Sequence, residues 1–274
     1  MIISALAVWF IFFMIDFDSF LAVLKTANYW WLPLAVLLYI LSKSIAALRI
    51  QHLYESIELK LENWYNLRLY YVGMFYNHFL PSSIGGDAYK VYLLKEKFKE
   101  NPLTKVVGVT LYDRINGLAM LLFLALIFVC FLSIDLPFAW LYPLLYAAIL
   151  LLFPCFWLFT KILFRYALEK FTNVSLLSIG VQLVQVVCAF VLLKAFGVTE
   201  HYMDYLSLFL VSSVATVIPL TIGGFGAREM VFIYGAQYLP IQEEVAVAVA
   251  MSFFGVSLIS SFIVGLPFLF TIDR

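Results

Sequence analysis

Five long apolar runs constrain the fold of this chain more than any other feature of its sequence. A helix needs ~20 apolar residues to cross a ~30 Å hydrocarbon core, and each run reaches or exceeds that length. The runs cover residues 29–48, 106–132, 138–160, 174–196 and 244–271. Because 65% of the 274 residues are hydrophobic and 12% are charged, a water-soluble core could not bury so much apolar surface. The sequence therefore predicts an all-α, polytopic membrane helical bundle that forms a single domain over residues 1–274.

The lysines and arginines between these runs indicate which side each loop faces. Three loops are basic, at residues 49–68, 86–105 and 161–173, whereas loops 133–137 and 197–206 contain neither Lys nor Arg. Cytoplasmic loops of membrane proteins are enriched in Lys and Arg. We therefore expect the basic loops and both termini in the cytoplasm, the other two loops outside, and the protein in the inner membrane of a bacterial or archaeal cell.

Two weaker segments cannot cross the membrane if the loops are oriented in this way. Both flanks of segment 69–85 are basic and belong to the same side, and segment 206–239 is interrupted by proline and glycines. We expect each segment to form a re-entrant hairpin, and the two hairpins to enter from opposite faces. The apolar stretch from Met1 to Ile15 lacks the basic start and cleavage site of a signal peptide and is short for a span. Either it extends through Phe20 as a marginal first span, or a few basic residues precede it in the full protein. This gives about six full spans and two hairpins.

The two interrupted segments resemble each other. Residues 79–86, Phe-Leu-Pro-Ser-Ser-Ile-Gly-Gly, align without gaps to residues 217–224, Val-Ile-Pro-Leu-Thr-Ile-Gly-Gly, at an offset of 138 residues. Broken segments at corresponding positions of two oppositely oriented halves are typical of transporters with an inverted repeat and a site near the midplane. The sequence therefore predicts such a repeat.

Charged residues follow each break and are the first candidates for a binding site. Asp87 and Lys90 follow the first break, and Arg228 and Glu229 follow the second. Broken backbone in a membrane lines protein or a polar cavity, and the free N–H groups of a helix start suit an anion such as a lipid phosphate. Three alternatives stay open. The breaks can be packing turns, Asp87 can cap its helix, and Arg228 can form a local ion pair with Glu229.

More ionisable residues lie inside the apolar runs. Asp113 and Arg114 fall within run 106–132, deep enough to need partners unless they snorkel to the interface. Lys43 and Arg49 lie near the cytoplasmic end of their span, where we expect both side chains to snorkel.

Uncharged polar residues add a second group of candidates. Asn77 and His78 precede the first break and can contact a headgroup, although a histidine in a membrane is more often packed and hydrogen-bonded. Gln182 and Gln185 share one helix face. They serve either as interhelical hydrogen-bond partners or as part of a pathway.

Signatures of familiar enzymes are missing from the sequence. It contains no Gly-x-Ser-x-Gly, no His-Glu-x-x-His and no phosphate-binding loop. Cys130, Cys155 and Cys188 are isolated in apolar segments, without the spacing of a zinc site. We therefore predict no enzymatic activity, no metal and no cofactor. The balance of 17 basic and 17 acidic residues does not point to nucleic acid as a partner.

Three motifs carry a resemblance to a known family. They are Asn77-His-Phe-Leu-Pro-Ser-Ser-Ile-Gly-Gly-Asp87, Asp113-Arg-Ile-Asn-Gly117 and Pro219-Leu-Thr-Ile-Gly-Gly-Phe-Gly-Ala-Arg-Glu229. In order and spacing, the chain resembles the flippase-like transmembrane domain of lysylphosphatidylglycerol synthases and its stand-alone relatives. The resemblance covers essentially the whole chain.

This resemblance implies an integral inner-membrane protein linked to lipid translocation. Some members are fused to a cytoplasmic aminoacyl-transferase, whereas this chain ends at Arg274 without one. The resemblance thus implies a stand-alone member, whose transferase partner, if it has one, is a separate protein. Tyr89 and Lys90 follow the Gly-Gly-Asp sequence where many relatives have an arginine nearby.

We therefore predict a translocator that moves a polar-headgroup phospholipid or a lipid-linked intermediate between leaflets. Two alternatives are a membrane enzyme that modifies lipids or glycans, with Asp87 or Glu229 as general base, and a scaffold for a separate transferase. The predicted substrate-binding residues are Asn77, Pro81, Gly85, Gly86, Asp87, Lys90, Asp113, Arg114, Pro219, Gly223, Gly224, Arg228 and Glu229.

Overall fold

The computed structural model describes residues 17–79, 85–97, 103–134, 138–217 and 226–269. Ten α-helices and no β-strand are present in these ranges. The helices are α1 (Phe17–Thr26), α2 (Leu32–Glu55), α3 (Asn63–Phe79), α4 (Gly85–Lys97), α5 (Leu103–Val129), α6 (Leu141–Leu163), α7 (Phe171–Ala195), α8 (Tyr202–Ala215), α9 (Ala227–Ala236) and α10 (Glu243–Leu269).

Five of the described helical segments are long and apolar enough to cross a membrane. They are α5, α6, α7, α10, and α2 together with the 3₁₀ turn Tyr29–Trp31 that precedes it, and their most apolar windows have mean hydropathies of 1.7 to 2.4. The prediction of an all-α, multi-pass membrane protein is confirmed. The predicted first span falls partly on residues 1–16, outside the described part of the chain, so the total of six spans stays a prediction.

The first short helix pair, α3 and α4, forms an antiparallel hairpin. Asn77 Oδ1 accepts a hydrogen bond from the backbone N–H of Gly86 at 2.9 Å. A Cβ atom placed on Gly86 would lie 1.8 Å from the carbonyl oxygen of Gly73. The two backbones are therefore in direct contact, which only a residue without a side chain allows.

The second short pair, α8 and α9, also forms an antiparallel hairpin, but side chains hold it together. A Cβ atom on Gly235 of α9 would meet Leu208 Cδ2 of α8 at 2.3 Å. Arg228, near the start of α9, also packs on α8, with its guanidinium 4.8 Å from the centre of the Phe209 ring.

Loops at one end of the bundle are joined by hydrogen bonds. The buried Asp204 carboxylate accepts bonds from Ser133, at 2.8 Å from its backbone N–H and 2.7 Å from its hydroxyl. The hydroxyl of Tyr205 accepts one from the N–H of Gln242 at 3.1 Å. The loops after α5 and before α8, both predicted to be outside, thus share an end with the connection from α9 to α10. We call this the outer end.

The opposite end joins the α2–α3 connection to the end of α10. Asn66 Nδ2 donates to the carbonyl oxygen of Ala47 at 2.7 Å, and the rings of Trp64 and Phe268 meet edge to face at 5.6 Å between centroids. We call this the inner end.

Helix packing follows a regular pattern. At the centre, α2 packs along α7. Around this pair, α3 packs against α10, and α8 packs against α5. Likewise α2 contacts α10, and α7 contacts α5. Helices α3 and α8 thus pack against different long helices, and α6 is peripheral and leaves most of its apolar surface exposed.

Candidate functional site

A cavity of about 330 Å³ lies between the two hairpins and the long helices. Side chains of α2, α3, α5, α7, α8, α9 and α10 line it, and a smaller cavity of about 140 Å³ shares part of this wall. The polar lining includes Lys43, Arg49, Asn77, His78, Arg114, Gln182, Gln185, Ser213, Thr216, Arg228, Glu229 and Ser257. So many polar groups within a membrane bundle are typical of a water-filled or ligand-filled space.

The described wall of the two cavities carries more positive than negative side chains. The cations are Lys43, Arg49, Lys90, Arg114 and Arg228, and the carboxylates are Asp87, Asp113 and Glu229. This excess favours an anionic ligand. A cation is available to such a ligand only if no carboxylate of the protein already forms an ion pair with it.

Asp113 is engaged by Arg49. The Arg49 guanidinium donates from Nε and Nη2 to the two Asp113 oxygens, each at 2.7 Å, and from Nη1 to the hydroxyl of Ser178 at 3.0 Å. A bidentate arginine–carboxylate ion pair is among the strongest hydrogen-bonded contacts between side chains. Gly117 leaves room for it, since a Cβ there would lie 3.0 Å from Arg49 Nη1.

Asn116 extends this contact into α7. Its amide accepts a hydrogen bond from Ser178 and donates to the hydroxyl of Ser175 at 3.1 Å. Every polar side chain of the motif from Asp113 to Gly117 thus has a protein partner among the described residues. The motif binds α5 to α2 and α7.

Asp87 is engaged by two cations at once. It pairs with Lys90 Nζ at 2.6 Å and with the Nε of Arg114. The Lys90 ammonium also lies 4.8 Å from the centre of the Tyr70 ring. Asp87 and Lys90 are buried, while the Arg114 side chain remains 36% exposed. The first motif and the second are therefore joined by an ion-pair cluster at the first hairpin.

Arg228 and Glu229 do not pair with each other. The Arg228 guanidinium packs on the rings of Phe209 and Phe253, at 4.8 and 4.7 Å from their centres, and its Nη1 has no hydrogen-bond partner among the described residues. Glu229 Oε2 accepts the backbone N–H of Gly226 at 2.7 Å, as in a helix cap. The local ion pair considered as an alternative is absent from the described contacts.

The family model for the lysylphosphatidylglycerol synthase TM region matches residues 1–265. The chain belongs to this family. No curated protein matches it. The matched model describes a membrane region and not a transferase domain, which agrees with the long apolar helices.

Within this lysylphosphatidylglycerol synthase TM region, the structure brings together most of the predicted residues. Asn77 and Gly86 join the arms of the first hairpin, and Gly85 begins α4. Pro81, Pro219, Gly223 and Gly224 lie outside the described residues. The charged candidates, which line the cavities, are Asp87, Lys90, Asp113, Arg114, Arg228 and Glu229.

Lys43 and Arg49 differ from the expectation that both snorkel to the interface. Arg49 is buried and paired with Asp113. Lys43 lines the main cavity, with its ammonium 4.8 Å from the centre of the Tyr39 ring, and forms no ion pair with a described carboxylate. Both residues could have been predicted as candidates, because an ionisable residue inside an apolar span by itself points to a functional site.

The remaining polar candidates of this membrane region differ in their surroundings. His78 lies 3.1 Å from the Met74 carbonyl oxygen and 2.9 Å from the Ser257 hydroxyl, so both ring nitrogens have partners. Gln182 and Gln185 both line the cavity, which supports the pathway interpretation of their shared face.

Proposed function

We propose that this protein moves an anionic phospholipid or lipid-linked intermediate between the two leaflets without changing it chemically. The observation that carries the proposal is the polar cavity between the hairpins, whose wall includes two cations, Lys43 and Arg228, without a described ion-pair partner. Its volume of about 330 Å³ suits a headgroup. The acyl or prenyl chains stay in the surrounding lipid.

The arrangement of the hairpins supports movement across the membrane. Helix α3 starts at the inner end and α8 at the outer end, and each is followed by a short antiparallel partner. We infer that both hairpins are re-entrant and enter from opposite faces. A site between two such broken segments can open to either side when the halves rock against each other.

Helix packing supports an inverted repeat. If α2 is exchanged with α7, α3 with α8, α4 with α9 and α5 with α10, each contact pair among these eight helices maps onto another pair or, for α2 with α7, onto itself. The contact of α3 with α10 becomes that of α8 with α5, and the contact of α2 with α10 becomes that of α7 with α5. Such an exchange is expected of two structurally similar halves related by a two-fold axis in the membrane plane.

An enzymatic role is less well supported. A general base must be free to accept a proton, whereas Asp87 is held by Lys90 and Arg114. Glu229, the other candidate base, holds the start of α9 through Oε2 and Gly226, and its Oε1 is buried without a described partner. We therefore propose a non-enzymatic role, in which any transferase partner acts on the lipid elsewhere.

Reconstitution tests this proposal. Purified protein is incorporated into vesicles that carry fluorescently tagged phosphatidylglycerol in both leaflets, and a membrane-impermeant reductant quenches the tag in the outer leaflet. We expect fluorescence to fall below the level of protein-free vesicles as lipid from the inner leaflet becomes accessible. The molecular mass of the tagged lipid should not change. A chemically altered lipid would indicate an enzyme, and identical curves in both vesicle types would contradict translocation.

A further inference from the structure

Lys90 and Arg228 occupy corresponding positions in the two hairpins. Extending the gapless alignment at an offset of 138 residues past the two glycine pairs places Lys90 opposite Arg228. Both residues lie in the second arm of their hairpin, in α4 and α9 respectively.

Their surroundings correspond as well. The Lys90 ammonium lies 4.8 Å from the centre of the Tyr70 ring on α3, and the Arg228 guanidinium lies 4.8 Å from the centre of the Phe209 ring on α8. Tyr70 and Phe209 are 139 residues apart. Each hairpin thus packs a cation from its second arm on an aromatic ring of its first arm.

The two positions differ in their counter-ion. Asp87 neutralises Lys90 at 2.6 Å, whereas the residue aligned with Asp87 is Phe225, which has no charge. Arg228 has no ion pair with a described carboxylate, and its buried Nη1 has no described hydrogen-bond partner. The Arg228 residue is partly buried, and a buried guanidinium N–H without a hydrogen-bond partner costs free energy. The missing anion at Arg228 is therefore the part that a ligand can supply.

Lys43 provides a second cation on the same cavity wall, also without a described ion pair. An arginine fork and a lysine point charge together suit the several oxygens of a phosphate group. We propose that Arg228 and Lys43 bind the phosphate of the lipid headgroup. This phosphate is the counter-ion of Arg228, as the Asp87 carboxylate is the counter-ion of Lys90 in the first hairpin. The inference rests on the proposed function and names its binding group.

A consequence is that the cations of the cavity divide into two sets. Lys90, Arg49 and Arg114 are paired with carboxylates of the protein, whereas Arg228 and Lys43 bind the ligand. Substitution of the first set should lower the melting temperature, and substitution of the second set should lower affinity for phosphate-bearing lipid.

Binding to purified protein in a neutral detergent tests the division. The probes are dioleoylphosphatidylglycerol, inorganic phosphate, and dioleoylglycerol, which has the same chains without a phosphate. The variants are Arg228→Gln, Lys43→Gln and Lys90→Gln. Lys194→Gln is the matched control, because Lys194 lies 4.6 Å from the centre of the Tyr202 ring but does not line the cavity.

We expect Arg228→Gln and Lys43→Gln each to weaken binding of dioleoylphosphatidylglycerol at least about tenfold, equal to about 1.4 kcal/mol. Lys194→Gln should bind within about threefold of wild type, whereas Lys90→Gln should lower the melting temperature. If inorganic phosphate competes with the lipid, the site also accepts free phosphate. If inorganic phosphate does not compete, the site is restricted to phosphate that is carried by a lipid. Binding of dioleoylglycerol as tight as that of dioleoylphosphatidylglycerol would overturn the proposal.

Folding and function are separated by two further measurements. Each variant is checked by gel filtration and melting temperature, and if Arg228→Gln fails to fold, Arg228→Lys and Lys43→Gln decide. Normal lipid affinity in both of those folded variants would overturn the phosphate site.

Wild-type protein that binds lipid by this pair but moves none in vesicles would contradict translocation alone. Transfer unaffected by both substitutions would contradict the phosphate site alone.

Discussion

Arg49 and Asp113, which are 64 residues apart in sequence, are joined by two parallel hydrogen bonds of 2.7 Å. Both side chains are buried. The pair joins α2 to α5 beside the cavity, and Ser178 extends it to α7. Three of the long helices are therefore held in register by one guanidinium group.

Removing one partner of this pair should destabilise the protein. Asp113→Asn leaves the Arg49 charge without a counter-ion, and loss of one partner from a buried pair costs about 3–5 kcal/mol. We expect a clear fall in melting temperature and in yield from detergent. The double variant Arg49→Met with Asp113→Leu, which removes both charges, should recover much of the loss. If Asp113→Asn melts with the wild type, the pair does not stabilise the fold.

The contact between Gly73 and Gly86 predicts a sharp difference between two glycine substitutions. Gly86→Ala would place a Cβ 1.8 Å from the Gly73 carbonyl oxygen, so the arms of the first hairpin must separate. Overpacking of this kind costs about 1–3 kcal/mol or more. Gly255→Ala is the control, because its Cβ meets no atom within 4 Å, and it should be neutral or stabilising by up to about 1 kcal/mol. Thermal unfolding in detergent compares the two variants. Equal melting temperatures would contradict close contact of the arms.

The two hairpins predict a pattern of cysteine labelling. In a cysteine-free background, Lys60→Cys and Lys95→Cys flank the first hairpin, and Glu200→Cys and Gln242→Cys flank the second. Each of these positions is exposed. We expect the first pair to label only from the cytoplasmic side and the second pair only from outside, as measured with an impermeant maleimide on intact cells and inverted vesicles. Opposite labelling within either pair would mean that the segment between them crosses the membrane.

Asp204 should matter at the outer end. Its buried carboxylate accepts two hydrogen bonds from Ser133 and lies 3.2 Å from His201 Nδ1. Hydrogen bonds to a charged group contribute about 1.5–3 kcal/mol, so Asp204→Ala should lower stability by at least about 2 kcal/mol. The exposed Glu200, where an alanine substitution should have little effect, is the matched control. Chemical unfolding of both variants measures the difference.

Much of the fold follows from the sequence, because apolar length and loop charge are local properties. The run of residues 174–196 predicted α7 to within a few residues, whereas the prediction from basic flanks that both ends of segment 69–85 face the cytoplasm stays a prediction. Side-chain partners were harder to predict. That Arg49 turns towards Asp113 instead of the interface depends on how α2 and α5 are rotated, which no residue of either helix reveals alone. Likewise, the separation of Arg228 from Glu229 depends on Phe209 and Phe253.

The glycine contacts of the first hairpin also have a mechanical meaning. Helix α3 touches backbone on two sides, at Gly86 of α4 and at Gly265 of α10, where an added Cβ would lie 2.7 Å from the Tyr71 carbonyl oxygen. Backbone cannot yield as a side chain can. The second hairpin instead meets the flexible end of Leu208 at Gly235. We therefore expect the first hairpin to be the more rigid of the two, so the distance from spin labels on α9 to α7 should be more broadly distributed than the distance from labels on α4 to α7.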